Sequence, residues 1–197
     1  IHTANRVNTS TKAWARLVKI LNECGYTEDE DSTLYRLKGS EHIKWIESDG
    51  YIAFRTRSSK GALGETYDLL VIDEAQEYTT EQESALKYTI SASLNPQTVM
   101  CGTPPTVVSS GTVFPNLRKD VMYSDTEDVG WAEWSVDNMS DPHDRELWYM
   151  TNPSLGYRIS ERTIKNEVGG DTLDFNIQRL GLWFKYNQKS VITKDLW

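Results

Sequence analysis

The sequence predicts an α/β fold in which a parallel sheet is flanked by helices and followed by a small C-terminal linker subdomain. The first indication is the aliphatic run at residues 67–72 (YDLLVI), which is typical of a strand buried on both faces. The second is a helix-forming segment between this run and another short strand at residues 97–101. Because polar residues directly follow both strands, we expect them at one edge of the sheet, where open α/β sheets bind ligands.

The elements before this strand begin with a helix. Thr9 and Ser10 are favourable N-cap residues, and the apolar positions after them recur at helical spacing until Gly25. Residues 35–46 and 51–57 are predicted to be extended, separated by the turn signal Ser-Asp-Gly.

A second helix is predicted after the central strand. Thr79 with Gln82, or Thr80 with Glu83, makes a capping box for a helix that runs to about Ser93. An Asn-Pro pair then ends the helix and leads into the strand at residues 97–101.

The sequence changes in character after Ser109. Tryptophans and tyrosines cluster, Asp-Pro and Asn-Pro pairs mark turns, and two further helices are predicted at residues 160–168 and 172–184. We therefore predict that residues 1–109 form most of the α/β core. Residues 110–197 would contain the end of that core and the linker subdomain.

The composition excludes several classes of protein. The chain has 197 residues, of which 38% are hydrophobic and 25% are charged, as in soluble domains with a core of their own. Its net charge of −8 disfavours tight nucleic-acid binding by this part alone, although a local patch or a ring would still permit binding. No run approaches the ~18 apolar residues of a membrane span. Two cysteines, Cys24 and Cys101, argue against a disulfide framework or a zinc cluster.

The clearest chemical signal is Asp73-Glu74 at the end of the central strand. A strand fixes two such carboxylates rigidly at the edge of the sheet. Asp73 is suited to hold Mg²⁺, which prefers oxygen ligands, and Glu74 is suited to orient and deprotonate an attacking water. The alternative is that the pair merely begins a turn, with both carboxylates in solvent.

A second signal follows the next strand. Thr103 carries a hydroxyl that can hydrogen-bond a phosphate or a water, and Gly102 permits close approach of the backbone. The alternative is an ordinary turn made by this glycine and the two prolines that follow. The histidines His2, His42 and His143 are isolated in the sequence and do not suggest a metal site.

The order of these motifs resembles the ATPase region of the tailed-phage terminase large subunit, along nearly the whole chain. The central strand with Asp-Glu-Ala-Gln resembles the Walker B region of that family, and Gly-Thr-Pro-Pro at residues 102–105 resembles its coupling motif. Trp-Ser at residues 134–135 and Asn-Pro-Ser-Leu-Gly at residues 152–156 resemble its linker subdomain.

This resemblance implies an ATP-driven motor that moves double-stranded DNA into a procapsid. ATP and Mg²⁺ would be the cofactors. Asp73 would bind the metal, Glu74 would be catalytic, and Gln76 and Thr103 would contact the nucleotide. The implied partners are DNA, a portal protein, a small terminase subunit and further copies of the chain in a ring. The implied location is the bacterial host cytoplasm, at the procapsid portal, with no membrane partner.

The family also implies an arginine finger that acts on the ATP of a neighbouring subunit. Relatives often carry Gly-Arg-Gly shortly before the Walker B strand, but Leu63 stands at the corresponding position of this sequence. Arg57, Arg55 and Lys60 lie near that position, and we assign the catalytic role to Arg57. The alternative for each is an exposed charge on a strand or loop.

No Walker A motif, Gly-x-x-x-x-Gly-Lys-[Ser/Thr], occurs in the sequence, and the dipeptide Gly-Lys is absent. A phosphate cradle needs consecutive backbone N–H groups at the start of a helix together with that lysine. In the resembled family this loop precedes the segment that matches Ile1, and a nuclease domain follows the segment that matches Trp197. We therefore expect an incomplete P-loop NTPase-like core that hydrolyses ATP negligibly by itself.

Two alternative functions stay open at this point. A lobe of a DEAD-box-like helicase or translocase would share Asp-Glu-Ala and a downstream coupling motif. A non-catalytic module with an ATPase fold would keep the sheet only to bind a partner.

Overall fold

A computed structural model of the chain describes residues 1–57 and 64–184. The described residues form six strands: β1 His2–Ala4, β2 Ser32–Tyr35, β3 His42–Trp45, β4 Tyr51–Thr56, β5 Leu69–Ile72 and β6 Gln97–Met100. They also form six α-helices: α1 Val7–Glu23, α2 Thr80–Leu86, α3 Val113–Tyr123, α4 Arg145–Thr151, α5 Glu161–Glu167 and α6 Thr172–Gln178. Two 3₁₀ helices, Ala75–Glu77 and Lys87–Ile90, flank α2. No helix within these ranges is long and apolar enough to cross a membrane.

The contacts of the chain divide it into two compact units. The first unit comprises Ile1–Gly102 with Ser110–Lys119, and the second comprises Thr103–Ser109 with the chain from Asp120 onward. The predicted division of the chain into most of the α/β core, residues 1–109, and the end of the core with the linker subdomain, residues 110–197, stays a prediction.

The first unit contains a single mixed sheet with the strand order β2-β3-β4-β1-β5-β6. Strands β4, β1, β5 and β6 are parallel, which confirms the predicted parallel sheet. Strand β3 pairs antiparallel with β4, and β2 pairs antiparallel with β3. The prediction of one extended segment over residues 35–46 is wrong. A turn at Gly39, whose φ is +82°, separates β2 from β3 there, since glycine adopts this conformation without a steric penalty.

Helix α1 begins earlier than predicted. Its N-cap is Arg6, so Thr9 and Ser10 lie inside the first turns rather than at the cap. Thr11 instead ties the helix to the sheet, because its hydroxyl donates a 2.6 Å hydrogen bond to the carboxylate of the buried Glu41. The end of the helix near Gly25 agrees with the prediction.

Helix α2 has the predicted capping box. The Thr79 side chain accepts from the backbone N–H of Gln82, and the Gln82 side chain accepts from the backbone N–H of Thr79. The helix is shorter than predicted, since it passes into the 3₁₀ turn at Leu86 instead of continuing to Ser93.

The second unit has its own apolar core. Trp148 of α4, Ile164 of α5 and Phe175 of α6 are buried together with five further apolar residues: Val136, Leu155, Val168, Leu180 and Leu182. Helix α5 lies where it was predicted, whereas α3 and α4 were not predicted. Helix α6 ends at Gln178 instead of residue 184. It cannot continue through Gly181, whose φ is +67° and whose backbone lies so close to the Trp134 carbonyl that a Cβ would be 2.4 Å from that oxygen.

Candidate active site at the carboxyl end of strand β5

Hydrogen bonds hold the chain on both sides at the carboxyl end of strand β5, where the polar residues begin. The backbone N–H of Asp73 donates to the Thr3 carbonyl at 2.9 Å, on the side of β1. On the other side, the N–H of Ala75 donates to the Cys101 carbonyl at 2.9 Å, just beyond β6. The strand itself is anchored by Leu70 and Ile72, which are buried. The carboxylates therefore start from a rigid base at the carboxyl edge of the parallel strands, the ligand-binding edge of such sheets.

Asp73 is half-buried and partly accessible, with 39% of its side chain exposed. Its Oδ1 accepts a 2.9 Å hydrogen bond from the N–H of Glu74, and its Oδ2 lies 3.6 Å from Nε2 of His2. Burial lowers the pKa of His2, and the neighbouring Asp73 partly opposes that shift. The prediction that His2 is isolated holds for the sequence only, because the parallel pairing of β1 with β5 brings it beside the carboxylate.

The carboxylate oxygens of Asp73 are suitable ligands for an Mg²⁺ ion that substrate phosphates also coordinate. Mg²⁺ is usually held by one or two carboxylates, with water and substrate phosphates completing the octahedron. Asp73 offers one such carboxylate, and its side chain is partly exposed. Among residues 1–57 and 64–184, no group of three or more His, Cys, Asp and Glu side chains forms a protein-only metal cage.

Glu74 has an unusual backbone conformation. Its φ of 54° and ψ of 50° lie in the left-handed region, which costs a non-glycine residue on the order of 1–3 kcal/mol. The conformation turns the chain from β5 into the 3₁₀ helix Ala75–Glu77. One carboxylate oxygen, Oε2, accepts the N–H of Asn5 at 3.3 Å. Strain of this kind concentrates at functional sites.

Arg57 lies directly beneath these two residues. It is 5% exposed, and its guanidinium donates to the carbonyls of Asp73 and Glu74, the latter at 3.1 Å. The guanidinium carbon also lies 5.7 Å from the centre of the Tyr78 ring. Burial lowers the pKa of Arg57, and the nearby Glu74 opposes that shift. The alternative interpretation of Arg57 as an exposed charge is therefore wrong, while its role as an arginine finger stays a prediction.

Arg55 and Lys60 are the other candidates for the arginine finger. Arg55 donates to the carbonyls of Glu41 and Phe54, at 2.8 and 2.9 Å, and to the Tyr51 hydroxyl at 3.1 Å. Lys60 and Leu63 lie outside the described residues.

Two glycines allow other segments to approach the turn after β5. A Cβ on Gly102 would lie 2.7 Å from Oε1 of Gln76, and a Cβ on Gly111 would lie 2.5 Å from the Gln76 carbonyl oxygen. Gly111 also donates its N–H to that oxygen at 3.1 Å. The nucleotide contact assigned to Gln76 stays a prediction. So does the sensor role of Thr103, which is half-buried and opens the segment Thr103–Ser109 of the second unit.

Arg57, His2 and Gly111 are the parts of this site that the sequence did not reveal as a group. Each reaches the turn from a different segment, so no local pattern connects them. The weak signal for Gly111 was its place in a Ser-Ser-Gly-Thr stretch, which equally well indicates a plain loop.

The mixed six-stranded sheet and its flanking helices agree with the α/β fold class that the sequence predicted. The structure is similar to the crystal structure of the HK97 bacteriophage large terminase, with a TM-score of 0.72 and 15% sequence identity. The similarity covers 93% of this chain and 39% of the HK97 chain, so this chain spans well under half of that protein. At this identity the similarity establishes the fold alone. No protein-family model matches the sequence, and no curated protein does.

Proposed function

We propose that the chain provides the carboxylate half of an ATP-hydrolysing site in a motor of the terminase large-subunit class. The observation that carries this proposal is the pair Asp73 and Glu74 at the end of the central parallel strand. The pair occurs in a fold that resembles a phage large terminase over 93% of the chain. In this proposal the work done by hydrolysis moves double-stranded DNA into a procapsid.

Asp73 and Glu74 have different tasks in the proposed reaction. Asp73 would hold Mg²⁺, which when bound neutralises charge on the phosphates. Glu74 would orient a water and take its proton as the water oxygen bonds to the γ-phosphorus and ADP leaves. Within the described part of the chain, only Oε2 of Glu74 receives a hydrogen bond, so Oε1 is available to a water.

The remaining assignments rest on the resemblance and on position in the chain. Gln76 follows Glu74 in the 3₁₀ helix and would contact the nucleotide. Thr103 follows the end of β6 and would report loss of the γ-phosphate to the second unit. A phosphate-binding loop, absent from residues 1–197, would come from elsewhere in the complete polypeptide. The proposed partners are a portal protein, a small terminase subunit and further copies in a ring, in the host cytoplasm at the portal.

The extent of the structural similarity favours this class over a helicase lobe. The matched region covers 93% of the chain and so includes most of the second unit, beyond the strand-end residues that a helicase would share. A non-catalytic module would not hydrolyse ATP, so a measurement of ATP turnover distinguishes it from the proposed function.

The test is steady-state ATP turnover by the complete polypeptide encoded by the reading frame that contains this chain. We expect Glu74→Gln to lower kcat about 10²- to 10⁴-fold, because the general base is lost while the shape is kept. The matched control is Glu77→Gln. Glu77 lies in the same 3₁₀ helix and accepts from the backbone and hydroxyl of Ser110, and an amide oxygen can still accept both hydrogen bonds.

The control should turn over ATP like the unsubstituted protein, and the isolated 197-residue chain should turn over almost none. Unchanged turnover in Glu74→Gln would refute the catalytic assignment. Robust turnover by the isolated chain would refute the requirement for a loop outside it.

A further inference from the structure

We infer that Arg57 is a positioning residue that acts within its own chain, by clamping the carbonyls of Asp73 and Glu74 and so holding Glu74 in its left-handed conformation. This inference rests on the proposed function, because the conformation matters only if Glu74 handles the attacking water. It replaces the view of Arg57 as a group that reaches a neighbouring active site.

The contacts of Arg57 are those of a clamp. Nη2 donates to the Glu74 carbonyl at 3.1 Å, while Nη1 donates to the Asp73 carbonyl and lies 3.4 Å from the Thr3 carbonyl. The backbone N–H of Arg57 is itself fixed, donating to the Ala4 carbonyl at 3.0 Å. The guanidinium thus joins the residues after β5 to β1, and the backbone of Arg57 is fixed to β1 as well.

The acceptors are backbone oxygens, not carboxylates. Among the described residues, no carboxylate lies within ion-pair distance of the Arg57 guanidinium. A buried cation that is not neutralised by a carboxylate is expensive to desolvate, and such groups persist where hydrogen bonding fixes them. The face of Tyr78, which is 1% exposed, covers the cation on the remaining side.

The hydrogen bonds from Arg57 can hold Glu74 in its left-handed conformation. Glu74 is strained in that conformation, which persists only when its surroundings over-determine it. Two neighbouring carbonyls that converge on one planar, rigid fork provide that determination, because an extended Glu74 would carry its carbonyl away from Nη2. A lysine has one compact ammonium and cannot reproduce the planar fork.

The burial also separates this role from a finger that acts in trans. A finger must expose its guanidinium to the ATP of another subunit, whereas that of Arg57 is enclosed by Thr3, Tyr78 and the turn at Asp73 and Glu74. The guanidinium therefore makes its contacts within its own chain.

The first experiment measures turnover by the complete polypeptide carrying Arg57→Met or Arg57→Lys. Misplacing a catalytic group by about 1 Å can cost about 10²-fold, so we expect kcat to fall roughly 10- to 100-fold with KM for ATP nearly unchanged. In the Glu74→Gln background, Arg57→Met should lower kcat no further, because the residue acts through Glu74. An unchanged kcat, or an additional loss of the same size in that background, would overturn the inference.

The control variant is Arg179→Met. Arg179 is a partly buried arginine that pairs with Glu167 in the second unit and touches neither carboxylate of the site. It should lose stability and keep its kcat.

The second experiment mixes Arg57→Met subunits with Glu74→Gln subunits. A finger acting in trans would restore turnover, because an intact Glu74 would meet an intact Arg57 from its neighbour. The clamp predicts no turnover beyond the sum of the separate variants, and restoration would overturn it.

The third experiment needs no turnover and therefore separates the clamp from the proposed function. In a crystal structure of the protein carrying Arg57→Lys, φ of Glu74 should leave the positive region. A Glu74 that stays near its present φ of 54° would contradict the clamp, even if Glu74→Gln abolishes hydrolysis. Conversely, a displaced Glu74 in an enzyme indifferent to Glu74→Gln would uphold the clamp and refute the proposed function.

Discussion

The two units of this chain are stabilised in different ways. In the first unit, the turn after β5 contains a left-handed Glu74 above a buried arginine. In the second unit, helices α4, α5 and α6 each begin with a side-chain cap, from Asp144, Ser160 and Asp171, and surround one apolar cluster. The other non-glycine residues with positive φ among the described residues are Asp29, Asp49 and Asp128, and aspartate adopts this conformation more readily than glutamate does.

Glu74, the one residue of these four that is not an aspartate, lies in the candidate site. Among the described residues, three buried side-chain polar atoms lack a hydrogen-bond partner: His2 Nδ1, Arg57 Nε and Ser10 Oγ. All three lie in the first unit, and two of them belong to residues that contact Asp73: His2 lies beside its carboxylate and Arg57 donates to its backbone carbonyl. The orphaned Ser10 hydroxyl has no such connection, and the structure offers no reason for it. Departures from local consistency are expected where function opposes stability, so the comparison supports the assignment of the site.

The largest expected effect comes from adding one methyl group to each unit. In Gly111→Ala, the new Cβ would meet the Gln76 carbonyl at 2.5 Å, and in Gly181→Ala it would meet the Trp134 carbonyl at 2.4 Å. We expect each to lower the free energy of unfolding by roughly 3 kcal/mol, because backbone atoms must move. Urea unfolding of the variants measures this change.

The same pair of variants tests whether the units differ in function. Only Gly111→Ala displaces the turn that carries Glu74, so only it should also abolish ATP turnover by the folded complete polypeptide. Gly169→Ala, whose Cβ would meet nothing within 4 Å, is the control and should leave both properties unchanged. Equal loss of turnover in Gly111→Ala and Gly181→Ala would remove the functional distinction between the units.

A smaller effect is expected at the helix caps, where the units should behave alike. Thr79→Ala removes the capping box of α2, and Asp171→Ala removes the cap that accepts the Asp174 N–H at 2.7 Å. Each should cost about 1 kcal/mol, since each leaves helix N–H groups without their acceptor. Thermal unfolding of both variants measures this cost. The control is Thr172→Ala, because Thr172 is exposed and lies next to the Asp171 cap. A loss much larger in one unit would show that its cap does more than begin a helix.

Features set by neighbouring residues were predictable from the sequence. The aliphatic run that contains β5, the capping box at Thr79 and the helix beginning after Ser160 each rest on a pattern formed by a few neighbouring residues. The position of Asp73 and Glu74 at a strand end follows directly from the first of these.

Features set by distant residues were not predictable in this way. Arg57 is separated from Thr3 by 54 residues and from Asp73 by 16, and only the strand order places it beneath the turn. Nothing local distinguishes it from Arg55, two residues earlier. Similarly, a glutamate in the left-handed region runs against its own preference, so its conformation depends on contacts that the sequence does not display.

A single-turnover measurement shows whether Glu74 acts on bound ATP. The complete polypeptide carrying Glu74→Gln is mixed with ATP and Mg²⁺, and the affinity for ATP and the rate constant for cleavage of bound ATP are measured separately. We predict an affinity close to that of the unsubstituted protein and a cleavage rate constant about 10²- to 10⁴-fold lower. Cleavage of bound ATP at the unsubstituted rate would show that Glu74 is not the general base.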